Sequence, residues 1–230
     1  MKVLVACEES QRVCKAFRER GHEAYSCDII ECSGGHPEWH IMDDVLVYLD
    51  GRQGGLFIGE FQTQDGEWHE IPLKWDMIIA FPPCTYLSCA ATRSHSLKGN
   101  TLEGINKRTL KRIDAMQFFI LIANANCDHI AIENPNGVMN TAYRKPDQSI
   151  EPYYFASGVD DVENYYTKHT NLWLKGLPVL KFECHLPNPM DNAERWGNGK
   201  KKCWTESNHG GYLRSKTPPQ ICRSNGRTVG

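Results

Sequence analysis

Short apolar runs flanked by polar turn formers recur along the chain, and their spacing alternates between that of strands and that of helices. KVLVAC at residues 2–7 is rich in Val and Leu and predicts a buried strand. Ser10 follows as a helix N-cap candidate, Val13, Cys14 and Phe17 share one helical face, and Gly21 reads as the stop. EAYSCDII at 23–30 predicts a second strand with an acidic residue near its end. Between 51 and 74, alternating LFIGEF and WHEIPL surround Asp65-Gly66, a good turn pair, and predict a hairpin insertion. MIIAF after Trp75-Asp76 predicts a further strand that must stop at Pro82-Pro83, because proline has no amide for a ladder. Ile105, Leu110, Ile113, Met116, Phe119, Ile120 and Ala123 keep helical spacing within 102–126, and HIAIE after them predicts another buried strand. Leu172 to Leu174 predicts one more, while 183–211, rich in Asn, Gly, Lys and His, reads mostly as loop.

Strands alternating with helices predict an α/β fold with a mostly parallel, doubly wound sheet over residues 1–182, and a loop-rich basic segment at 183–230 packed on the same domain. Such sheets bind ligands at the carboxyl ends of their strands. The loops at those ends, ACEES, CDII, PPCTYLS and IENPNG, hold the least ordinary residues of the chain.

Composition narrows the class without fixing the function. With 230 residues, 40% hydrophobic, 23% charged and a formal net charge of -2, collagen-like, coiled-coil and disordered chains are excluded. No apolar stretch approaches the roughly 18–20 residues of a membrane span, and the N-terminus lacks the long apolar core of a signal peptide. A cytoplasmic protein without a membrane partner is expected. Ten cysteines without a Cys-x-x-Cys pair read as reduced thiols, mostly buried. The charge balance hides three basic patches: Lys107, Arg108, Lys111 and Arg112; Lys200 to Lys202; and Arg214, Lys216, Arg223 and Arg227.

Taken one at a time, the polar residues at the strand ends have ordinary roles. Cys84 after two prolines is a nucleophile candidate or a buried small hydrophobe; Glu133 before Asn134 and Pro135 is an acid or a loop anchor. Asp28 and Asp44 suit ribose hydroxyls, an adenine amine, or simple turns. Cys184, His185, Cys203, His209 and Cys222 offer zinc-binding atoms at a spacing that fits no standard finger, so no metal site is expected.

Together and in this order, these residues resemble the DNA (cytosine-5)-methyltransferases, most closely their short phage-type members. WDMIIAFPPCTYLS resembles the family's Pro-Cys nucleophile motif and HIAIENPNGVM its Glu-Asn-Val motif, with Pro135 in place of valine. CDII and HIMDDV resemble the acidic positions that hold the methyl donor, and RKPDQSIEPYYF, TNLWLKGLP and RSKTPPQI also match. The likeness covers nearly the whole chain apart from the hairpin insertion and much of 183–211.

The resemblance implies a fold of the S-adenosylmethionine-dependent methyltransferase type and transfer of a methyl group from S-adenosylmethionine to cytosine C5 in duplex or single-stranded DNA. In a phage-encoded protein the location would be the host cytoplasm. Cytosine C5 is a poor nucleophile until a thiolate adds to C6, which makes Cys84 the expected nucleophile, with Pro83 beside it. Glu133, with Asn134, would stabilise charge at N3. Cys7, Ser10, Gln11, Asp28, Ile29, Asp44, Val45 and Pro82 would line the donor site. Of the two arginine positions in the family's Gln-x-Arg-x-Arg strand, only Lys168 keeps a positive charge, and Arg144 or Arg93 would have to replace the other. The usual Gly-rich donor loop is here Cys7-Glu8-Glu9-Ser10-Gln11. The basic segment near 200–202 would form a reduced target-recognition region. A free pyrimidine nucleotide, RNA, and a catalytically silent DNA-binding or inhibitory protein stay open as alternatives.

Overall fold

The computed structural model describes residues 1–49, 52–53, 56–57, 59–89, 95–183 and 185–191. In chain order its regular elements are β1 (Lys2–Ala6), α1 (Arg12–Arg18), β2 (Glu23–Asp28), β3 (His40–Met42), β4 (Arg52–Gln53), β5 (Leu56–Phe57), β6 (Glu60–Gln62), β7 (Trp68–Glu70), β8 (Met77–Ala80), α2 (Leu102–Ala123), β9 (Ile130–Pro135), α3 (Met139–Ala142), β10 (Gln148–Ile150) and β11 (Thr170–Lys175).

Seven strands form one sheet in the order β10-β11-β9-β8-β1-β2-β3. The five from β9 to β3 run parallel, whereas β11 is antiparallel to β9 and β10 to β11. The expected α/β, mostly parallel architecture is therefore present, as a mixed sheet. The central strands are buried on both faces, as the apolar runs imply. Val3 and Val5 of β1 pack with Val13, Cys14 and Phe17 of α1 on one face. Leu4 and Ala6 point to the other, where Phe119 and Ile122 of α2 lie. This period-two split of one strand puts the two crossover helices on opposite sides.

The sheet is less fully wound than the sequence suggests. Between β3 and β8 no helix crosses among the described residues; the chain instead makes the paired strands β4–β5 and β6–β7. Asp65-Gly66 turns the second pair, with Gly66 at φ 96° and the Thr63 hydroxyl donating to Asp65 at 2.7 Å. This insertion is part of the core: Phe61 is 2% exposed and packs edge-on to Tyr25, near Trp75. The α2 stripe is buried only toward its C-terminal end. Phe119, Ile122 and Ala123 are covered, while Leu110 and Ile113 face solvent.

Among the described residues no helix is long and apolar enough to cross a membrane. The seven described cysteines are free; Cys14, Cys27 and Cys127 are buried. The packing of 192–230, with the Lys200 and Arg214 patches, lies outside the described residues, as do Arg93, Cys184, Cys203, His209 and Cys222. His185 is exposed.

Candidate functional site

The crossover from β1 leads through α1 to β2 on one side, and that from β8 leads through α2 to β9 on the other. The sheet therefore reverses its order between β1 and β8, and in such sheets the carboxyl ends of the two strands at this switch are where ligands bind. The loop after β1 begins at Cys7 and the loop after β8 contains Pro82, Pro83 and Cys84.

Proline ends β8 and makes the chain turn. The Leu87 and Ser88 amides both donate to the Cys84 carbonyl at 3.0 Å, closing a tight turn that carries the thiol at its start. The next loop holds this turn in place. The buried Asn134 amide donates to the Pro82 carbonyl at 2.7 Å, Val138 N donates to Leu87 O at 2.8 Å, and Cys89 N donates to Asn136 O at 2.9 Å. Gly137 makes the approach possible, since a Cβ there would overlap the Leu87 carbonyl. Asn134 thus acts as a brace between the two loops.

Glu133 lies on β9, paired with Leu172 of β11, and the nearby Thr170 hydroxyl donates to the Lys168 carbonyl at 3.0 Å. Burial lifts the Glu133 carboxyl above its usual range, while Lys168 and Thr170 pull it down. Burial also raises the Cys84 thiol, Glu133 raises it further, and Lys168 lowers it. Cys84, Glu133 and Lys168 therefore occupy one electrostatic neighbourhood, drawn from three elements far apart in sequence. Pro83 is exposed at its rim, whereas Pro82 is buried. Arg144 is engaged elsewhere, with Asp147 at 2.7 Å and the Leu174 carbonyl at 2.9 Å.

A second group forms at the ends of β1, β2 and β3. Burial raises the Cys7 thiol above its normal range, and the Asp28 and Asp44 carboxylates add to the rise, which places all three together. Burial also raises Asp28, against the amides of Ile29 and Ile30. The His40 ring, 2.9 Å from the Ile30 carbonyl, fixes the turn after β2. Ile29 and Ile30 remain 75% and 53% exposed, an unusual outlay of apolar surface beside two carboxylates. Val45 is buried and backs Asp44, whose side chain caps the Leu46 amide at 3.0 Å.

The glycine-free loop has its own logic. Cys7 and Gln11 adopt left-handed φ values of 60° and 55°, the backbone turn that glycine would otherwise supply. Glu8 is 5% exposed and accepts from Val13 N at 2.6 Å and Cys14 N at 3.1 Å. A carboxylate of the chain itself thus occupies the amides at the start of α1, a role that the sequence suggested for Ser10. Gln11 is fully buried and spends its amide on His36 O at 2.7 Å and His36 N at 3.0 Å. Asp28, Asp44 and the exposed isoleucines suit the sugar and ring of a nucleoside; the far end of such a ligand cannot use the Val13 and Cys14 amides while Glu8 holds them.

Thr170 and Glu8 were not singled out by sequence. The signal for Glu8 was a carboxylate a few residues before a helix; none marks Thr170, which is defined by its strand partner. No family model matches this chain, and no curated protein does.

Proposed function

We propose that the protein methylates cytosine C5 in DNA through a covalent cysteine adduct, with S-adenosylmethionine as the methyl donor. The observation that carries it is the shared neighbourhood of Cys84, Glu133 and Lys168 at the ends of adjacent strands β8 and β9. A thiol beside an acid, with a cation to favour the thiolate, suits addition at C6.

Cys84 adds to C6 as the thiolate, which Lys168 favours. Glu133, inclined by burial to hold its proton, donates a hydrogen bond or proton at N3 and stabilises the ring charge as the Cys84–C6 bond forms. Uptake of a proton by Glu133 as the base binds would remove its opposition to Cys84 ionisation, so the two roles support each other. The donor supplies an electrophilic methyl group for C5. Asp28 and Asp44 would hold its ribose and adenine, with Ile29 beside the ring. Loss of the C5 proton then permits elimination of Cys84. In duplex DNA the base must leave the stack at a cost of roughly a few kcal/mol.

Incubation with methyl-labelled donor and cytosine-containing DNA tests this proposal. Label should appear in DNA with the wild type and be absent with Cys84→Ala. Transfer at an equal rate by Cys84→Ala would overturn it.

A further inference from the structure

The cations at the start of α2 crowd the nucleophile turn. The Arg108 guanidinium sits 5.0 Å from the Tyr86 ring centre and the Lys111 ammonium 5.6 Å from it. Arg112 Nε donates to the Tyr86 carbonyl at 3.0 Å, and an Arg108 nitrogen lies 3.5 Å from the Thr85 carbonyl. These contacts leave donors over. Arg108 Nε and His95 Nε2 are both buried and, among the described residues, have no hydrogen-bond partner. Among the described residues, none of Arg108, Lys111 and Arg112 pairs with a carboxylate.

Like charges are being held together at some cost. Burial and then Arg108 depress the Arg112 pKa; burial, Arg112 and Arg108 depress that of His95. Among the described residues the two guanidinium groups thus lack a counter-charge, and a buried unmet donor is unusual in a folded protein. A single anion with several acceptor oxygens resolves both problems, and guanidinium groups match phosphate oxygens in geometry.

We propose that Arg108, Lys111, Arg112 and His95 form a phosphate-binding subsite that docks a backbone phosphate of the nucleic-acid substrate against the Cys84 turn. The inference rests on the nucleic-acid part of the proposed function and adds the residues that grip the strand. Because Arg108 and Arg112 already hold the Thr85 and Tyr86 carbonyls, phosphate capture would fix the turn that begins at Cys84. Binding of the strand and positioning of the nucleophile become one event.

Alkylation of Cys84 by iodoacetamide, followed by peptide mass spectrometry, tests the subsite without methyl transfer. A short oligothymidylate should slow Cys84 alkylation several-fold in the wild type, and its uncharged methylphosphonate analogue should not. Arg108→Gln and Lys111→Gln should each weaken this protection; Lys111 is exposed, so its variant retains the fold if Arg108→Gln does not. Protection equal to wild type in both variants would overturn the subsite. Inorganic phosphate or dCMP protecting as well as the oligomer at equal phosphate would overturn its assignment to a nucleic-acid backbone. A failed cytosine adduct alongside intact, charge-dependent protection would instead sink the methylation reading and leave the subsite standing.

Discussion

The side-chain amide of Asn134 and the carbonyl of Pro82 meet at 2.7 Å in a buried hydrogen bond, so the strand that carries Glu133 also fixes the proline pair before Cys84. Removing the amide leaves a buried carbonyl unmet, which costs about 1–3 kcal/mol. Asn134→Ala should lower the urea midpoint accordingly and reduce methyl transfer by roughly tenfold or more, the change that about 1.4 kcal/mol in the barrier produces. Wild-type stability together with wild-type transfer would contradict the bracing role.

Glu8 makes stability depend on pH. Burial is the largest cause that pushes its carboxyl from 4.5 up to about 7, against the Val13 and Cys14 amides. Between those values the folded protein holds a proton that the unfolded chain has released, so stability falls as pH rises through the window. At 1.36 kcal/mol per unit, the effect is on the order of 3 kcal/mol. Glu8→Gln keeps an acceptor for one amide and removes the titration; its urea midpoint should decline less between pH 4.5 and 7 than that of the wild type. Equal declines would show that Glu8 does not titrate in this way.

Lys168 and Glu133 act on the Cys84 thiol in opposite directions. Lys168→Met should move the pH profile of Cys84 alkylation upward, and Lys168→Arg should restore it. Glu133→Gln should move the profile downward while methyl transfer falls, a split that general damage to the site would not produce. Slower alkylation in Glu133→Gln at neutral pH would contradict the proposed coupling.

The parts of this site that could be read from sequence are those set by local chemistry. Paired prolines end β8 whatever the rest of the chain does, so the position of Cys84 just past a strand end followed from Pro82 and Pro83; the strand expected to end at Glu133 instead runs on to Pro135, because β11 pairs with it that far. Strands of three residues, such as β3 and β10, have too few side chains to show a period and form only because neighbours pair with them. Gln11 looked available because its loop follows a strand, yet it is buried by the 31–36 loop that closes over it: Gly34 packs so closely on Gln11 that a Cβ would overlap it. The apolar spacing of Leu110 and Ile113 marked a helix correctly but not what covers it, since periodicity describes a face and not its partner.

The central claim is that Cys84 bonds covalently to cytosine C6 while a methyl group enters C5. Fluorine in place of the C5 hydrogen blocks the final proton loss, so the adduct cannot eliminate. Intact-protein mass measurement after incubation with 5-fluorocytosine DNA and S-adenosylmethionine reads it directly. The wild type should gain the mass of the methylated DNA strand, peptide mapping should place it on Cys84, and Cys84→Ala should gain nothing. A folded wild-type protein that gains no mass, or an adduct that persists in Cys84→Ala, would contradict the mechanism.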